Sequence, residues 1–162
     1  MKSIEKELGY TFNDHSLLEK ALTHPSALAP GQGADFERLE FLGDRILGLI
    51  IASWLFKEFP LDKEGDLAKR FTGLVRKETL VEVAKVIDLD RAMVMKRERS
   101  SSQIKRLETL TADACEALIA ALYLDGGFEA AHNFIHHYWK DYFKGGAEPP
   151  RDSKSILRMR NH

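Results

Sequence analysis

Glu37, Glu40 and Asp44 stand at i, i+3 and i+7 within FERLEFLGDRILGLIIASWLFKEF, residues 36–59. On a helix that spacing lays them along one stripe. Leu39, Phe41, Leu42, Ile46, Leu47, Leu49, Ile50, Ile51, Trp54, Leu55 and Phe56 surround the stripe with apolar surface. Carboxylates in such a setting repel one another and lose hydration unless a cation sits among them. A second pair, Asp113 and Glu116, falls at i, i+3 in TLTADACEALIAALYL, residues 109–124. Five alanines make that helix thin, so it can pack closely against a bulkier partner. If the two helices lie together, Asp113 and Glu116 face Glu40 and Asp44 across one small volume. All-oxygen ligation selects Mg²⁺, with Mn²⁺ as the alternative, over zinc or copper.

The elements that must position these groups read as all-α. A short helix spans residues 3–8, and Asn13 or Asp14 caps a second that ends at His24-Pro25. APGQGA, residues 29–34, leads into the central helix, which Phe59-Pro60 closes. Two helices follow between Asp66 and Ile87, with a break near Arg76 or Lys77. Residues 88–102 are polar and charged, with Ser100 to Ser102 as a flexible tip. A long helix from about Ile104 is stopped by Asp125-Gly126-Gly127, and a last one runs from Phe128 to Phe143 with Phe134, Ile135, Tyr138 and Phe143 facing inward. No alternation of period two persists, and no repeat is evident.

A chain of 162 residues with 44% hydrophobic and 30% charged residues has the composition of one soluble globular domain. Its formal charge of −1 gives no global pull toward nucleic acid, so any polyanion must meet a local patch. The single cysteine, Cys115, excludes an internal disulfide and fits a reducing compartment. It reads as a small buried filler rather than a nucleophile. The longest apolar run, Ile46 to Phe56, is about half a bilayer span, and the start lacks an apolar signal region, so no membrane partner and a cytoplasmic location are expected.

ERLEFLGDRIL, residues 37–47, resembles the signature of the ribonuclease III endonucleases, and TADACEALIAALYLDGG, residues 111–127, resembles that family's second acidic motif. NDHSLLEKALTHPS, residues 13–26, and the stretch DKEGDLAKRFTGLVRKETLVEVA are similar to the family in register. The resemblance covers about residues 4–143 and implies an all-helical endonuclease, a helical bundle around a central buried helix, acting as a homodimer on double-stranded RNA. It implies that Glu40, Asp44, Asp113 and Glu116 bind the catalytic metal, with Asp44 and Glu116 as catalytic residues. It implies that Glu37 and Glu64 line a cleavage valley at the dimer interface, and that Phe41 projects into a socket on the partner subunit rather than filling the core. Products would carry 5′-phosphate and 3′-hydroxyl ends with a short 3′ overhang, in rRNA and mRNA precursor processing.

Two departures stand out. Arg45 occupies a position where many members have serine, and is a candidate phosphate contact. Bacterial members usually continue into a double-stranded RNA-binding domain, whereas this sequence reaches RDSKSIL and then RMRNH. The expected division is a catalytic domain over residues 1–145 and a linker with a truncated or disordered tail over 146–162. A truncated or frame-shifted product and a naturally short form both remain open.

Phosphodiester hydrolysis needs an activated water, charge relief on the non-bridging oxygens and help for the departing 3′ oxygen. Lys69, Arg70, Arg76, Lys77, Lys96, Arg97, Arg99, Lys105 and Arg106 are the candidate phosphate contacts, of a kind that gives affinity without reading sequence. His24 should make a structural hydrogen bond, and His132, His136 and His137 should lie on the surface. A non-catalytic double-stranded RNA-binding or ribosome-associated dimer on the same fold is the alternative, because fold does not fix activity. The intact carboxylates speak against it, since concentrated negative charge repels a polyanion. A nucleotide phosphohydrolase would call for histidine ligands at metal spacing, which the sequence lacks.

Overall fold

The computed structural model describes residues 2–97 and 103–145. Among the described residues seven helices form: α1 (Lys2–Leu8), α2 (His15–Leu22), α3 (Ala34–Glu58), α4 (Glu64–Val75), α5 (Lys77–Val86), α6 (Leu89–Ala92) and α7 (Gln103–Gly145), with a 3-10 turn at Pro25–Ala27. No strand occurs among the described residues. A parallel bridge joins Thr23 to Val94, where the Val94 N–H donates to the Leu22 carbonyl at 2.8 Å. Arg99, Ser100 to Ser102 and the expected tail over 146–162 lie outside the described residues.

The two longest helices, α3 and α7, share the broadest contact, and α2, α4 and α5 pack around them. Ala112, Ala114, Ala117, Ala120 and Ala121 are all buried, as the thin face of α7 requires. Cys115 between them is fully buried, and its thiol is pushed up by burial and then by Glu116, which holds it as an inert thiol.

Local chemistry explains the breaks. Asp14, not Asn13, caps α2 by accepting the Ser16 N–H at 3.0 Å. His24 Nδ1 accepts the Ser26 N–H at 3.0 Å, the structural bond expected of it. Arg76, at φ −68° and ψ 162°, is the extended residue between α4 and α5. The Leu74 carbonyl left over at the end of α4 accepts from Trp139 Nε1 at 2.9 Å. Gly127, at φ 78°, breaks the course of α7 in the left-handed region that suits glycine.

α3 is central, yet one stripe of it stays open: Phe41 is 61% exposed, Leu49 61% and Phe56 73%. The apolar residues expected to ring the acidic stripe are thus divided between the core and an outer face. The expected surface histidines divide as well. His137 is exposed, but His132, His136, Trp54 and Phe143 form a column of stacked rings with centroids 3.9, 3.8 and 3.7 Å apart. Among the described residues no helix is long and apolar enough to cross a membrane.

Candidate metal centre

Where α3 crosses α7, carboxylate oxygens of Glu40, Asp113 and Glu116 all lie within 4.8 Å of one another. Three negative groups at that separation, partly withdrawn from water, need compensation. In the metal-free protein protons supply it. The Glu40 carboxyl is raised to about 7 by burial first and then by Asp113, with Glu37 and Asp44 adding to the effect. Glu116 is raised to about 9 by burial, then by its hydrogen bond with Asp44 and the charges around it. Burial also raises Asp113, against the opposing pull of its hydrogen bond with Glu40 and of Lys77. The carboxylates thus pair across the helix contact, Glu40 with Asp113 and Asp44 with Glu116.

Asp44 stands apart from the group of three. It sits at the exposed rim, where its carboxylate accepts from the Arg45 guanidinium. Glu37 is near enough to raise Glu40 but is itself exposed. Glu64 opens α4 at an exposed position and does not belong to the gathered group. An all-oxygen set that spontaneously holds protons fits a hard divalent cation, which would replace them. Among the described residues no histidine or cysteine joins the group, which disfavours a softer ion.

The basic residues divide. Lys69, Lys77, Lys96, Lys105 and Arg106 are exposed. Lys77 lies close enough to Asp113 to pull its carboxyl down, and Arg106 adds to the burial that lowers His24. Arg70 instead serves the fold, since its Nε donates to Asp62 at 2.6 Å and its guanidinium lies 3.8 Å from the centre of the Phe59 ring. Arg76 pairs loosely with Glu78 at 3.9 Å, and Arg97 donates to the Asp90 carbonyl at 2.5 Å. Phe41 is no core residue; the Arg45 guanidinium lies 4.6 Å from its ring centre.

One positioning residue is not evident from residue type alone. A β-carbon on Gly43 would stand 1.7 Å from the Glu116 carbonyl oxygen, so the helices meet at that glycine. Its signal in the sequence is a glycine inside an otherwise continuous helix, a place that usually has a packing reason.

The site can be set beside known proteins. A family model described as Ribonuclease-III-like matches residues 14–142. Ribonuclease 3 from Nitrobacter winogradskyi is 42% identical over 160 residues, covering 98% of this chain and 60% of that protein. Ribonuclease 3 from Rhodopseudomonas palustris is 43% identical over 157 residues, covering 96% of this chain and 58% of that protein. The chain therefore spans about three-fifths of the length of these curated relatives. A solved nuclease domain of ribonuclease III from Campylobacter jejuni, described as flexible in a region involved in dimer formation, superposes with a TM-score of 0.79 at 34% identity and covers 88% of this chain and 98% of that one. With the acidic crossing of α3 and α7 inside the matched segment, the chain belongs to the ribonuclease-III-like family.

Proposed function

We propose that this chain is a metal-dependent endoribonuclease domain that hydrolyses phosphodiester bonds of double-stranded RNA, leaving 5′-phosphate and 3′-hydroxyl ends, in cytoplasmic processing of rRNA and mRNA precursors. The observation that carries the reading is the convergence of Glu40, Asp113 and Glu116 within 4.8 Å, in a chain of this family. Glu40, Asp44, Asp113 and Glu116 would hold the ion, Mg²⁺ with Mn²⁺ as the alternative. When bound, such an ion supplies charge relief on the non-bridging oxygens and acidifies water beside the scissile bond.

The rest falls to the chain. Glu40 and Glu116 release protons as the cation enters, so occupancy rises with pH. Asp44, at the open rim, and Glu116, beneath it, are the catalytic pair of this reading. Lys69, Lys77, Lys105 and Arg106 offer exposed charge to phosphates, as do Arg76 and Arg97 once freed from their local partners. Such contacts respond to the shape of an A-form duplex rather than to its sequence. Glu37 and Glu64 would border the valley in which the duplex lies.

A homodimer completes the proposal. The exposed Phe41, Leu49 and Phe56 lie along one side of α3, where a second copy could cover them. Residues 1–145 form the catalytic domain in this reading, and 146–162 a linker and tail.

Incubating the full chain with a long RNA duplex, with and without Mg²⁺ and beside a Glu116→Gln variant, tests the activity. Cleavage should require both the ion and Glu116, while the variant still retains the duplex at low salt. Intact duplex in every lane, with binding preserved, would favour the non-catalytic RNA-binding dimer.

A further inference from the structure

Arg45 is placed unusually for a helical arginine. Neighbours one turn away on a helix, at i±3 and i±4, are the ones a long side chain normally meets. For Arg45 these are Phe41, Leu42, Gly48 and Leu49, none of them charged. Its guanidinium lies over the Phe41 ring, 4.6 Å from the centre, and donates through Nη1 to Oδ2 of the adjacent Asp44. The ring faces one side of the cation, and among the described residues the carboxylate that Arg45 pairs with belongs to the acidic crossing. Both partners keep contact with water, with side chains 63% and 48% exposed.

The remaining carboxylates have other means of balance. Glu40 and Asp113 share one hydrogen bond, Glu116 bonds to Asp44, and Lys77 acts on Asp113. Asp44 is the member of the crossing with a direct ion pair among the described residues. A divalent cation and a guanidinium cannot occupy the same carboxylate face without strong repulsion.

We propose that Arg45 is a built-in counter-ion that holds Asp44 in the metal-free protein and must leave it when a divalent cation binds, so that it tunes metal affinity. The inference rests on the metal-centre reading above. It makes Arg45 a residue that sets how much metal the site requires, acting through Asp44, rather than a residue that touches the reacting atoms. Once displaced it remains beside the site, on an exposed face, with a planar fork suited to a phosphate.

The test uses the full chain and Mn²⁺ or Mg²⁺ alone, without RNA. Titration calorimetry on Arg45→Ser and Arg45→Ala should show the ion bound about threefold to fivefold more tightly than by the parent, the range expected for loss of one exposed ion pair. Arg45→Lys keeps the charge and should stay within about twofold of the parent by the same measure. In ¹⁵N-labelled parent protein the Arg45 Nε–H resonance should move on titration, with the same midpoint as the Glu116 backbone amide. Equal affinities in parent, serine and alanine variants, with the Arg45 resonance unmoved, would overturn the proposal while leaving the metal centre standing. No metal-dependent heat or amide shift in any variant would overturn the metal centre and the proposal together.

Discussion

Gly43 on α3 and Glu116 on α7 meet backbone to backbone: a β-carbon on Gly43 would stand 1.7 Å from the Glu116 carbonyl oxygen and 2.5 Å from its carbonyl carbon. No rotamer relieves such a clash, because both obstructing atoms are main chain. Gly43→Ala must therefore push the helices apart at the point where the carboxylates converge. Overpacking of a rigid core costs about 1–3 kcal/mol or more. For a chain of this size each kcal/mol is worth about 2–4 °C. Thermal unfolding should fall by at least about 2 °C by that scaling, and metal binding measured by calorimetry should weaken further than the stability loss explains. A variant with unchanged melting and unchanged metal affinity would show that the crossing is looser than described.

Protons in the acidic crossing set a pH dependence with a definite sign. Glu40 is raised from 4.5 to about 7 and Glu116 from 4.5 to about 9, burial being the largest cause for both. Between the unfolded and folded values the folded protein binds more protons than the unfolded chain, so stability falls as pH rises. The penalty begins above pH 4.5, is complete for Glu40 above about 7 and for Glu116 above about 9. Metal-free protein in chelator should melt at progressively lower temperature from pH 5 to 9, and Glu116→Gln should flatten the upper part of that decline. Added Mg²⁺ should restore stability most at the alkaline end, where no proton has to be displaced.

Much of this was legible in the chain because its signals are local. Prolines at 25 and 60, the cap at Asp14 and the glycine at 127 each act within a turn of their own position. The paired acidic spacings in apolar helices likewise pointed to the crossing. What the sequence leaves open is which apolar residues face inward. Phe41 and Phe56 have the same hydrophobicity as Phe36, yet only Phe36 is buried, because the packing partners of α3 cover one side of it. Trp139 is fully buried at the far end of α7, where its ring N–H meets a carbonyl released by the break at Arg76, a pairing across 65 positions that no periodicity encodes. Asp44 and Arg70 show the same limit. The sequence marks Asp44 as a metal-binding carboxylate and Arg70 as a phosphate contact, but the ion pairs to Arg45 and Asp62, the second of which withdraws Arg70 from solvent, depend on side-chain reach rather than pattern.

Asp125 offers a second test with the opposite pH sign. It accepts the Tyr10 hydroxyl at 2.6 Å, the Asn13 N–H at 2.9 Å and the Asp14 N–H at 2.8 Å, fastening the chain ahead of α2 onto α7. Burial is the largest single effect and raises its carboxyl, but the bonds from Tyr10, Asn13 and Asp14 together with the nearby His15 outweigh it and hold the group below the usual 3.8, while Tyr10 is raised to about 12 by burial and then by its bond to Asp125. A depressed carboxyl stabilises the fold above its unfolded value and loses that contribution as pH drops through the folded one. Asp125→Ala should cost about 1–2 kcal/mol at neutral pH, the scale of a few partly exposed hydrogen bonds, and the difference from the parent should shrink below about pH 4. Urea unfolding of both proteins across that range provides the measurement, and a constant difference at all pH values would assign the loss to packing instead.

Phe41 separates association from folding. Its side chain is 61% exposed, so truncation to alanine removes little from the core of a single copy. If α3 presents Phe41, Leu49 and Phe56 to a second copy, the same truncation removes a buried aromatic anchor from the interface, where such residues typically contribute about 2 kcal/mol or more. That loss corresponds to roughly a thirtyfold weaker association. Light scattering over a dilution series should therefore find Phe41→Ala dissociating at concentrations where the parent remains paired, with the melting of the dilute monomer shifted by less than about 2 °C. Calorimetric metal binding should survive in the monomeric variant, because the oxygens of Glu40, Asp113 and Glu116 all come from one chain. A variant that stays paired at every dilution would move the interface away from this face of α3, and one that unfolds outright would return Phe41 to the core.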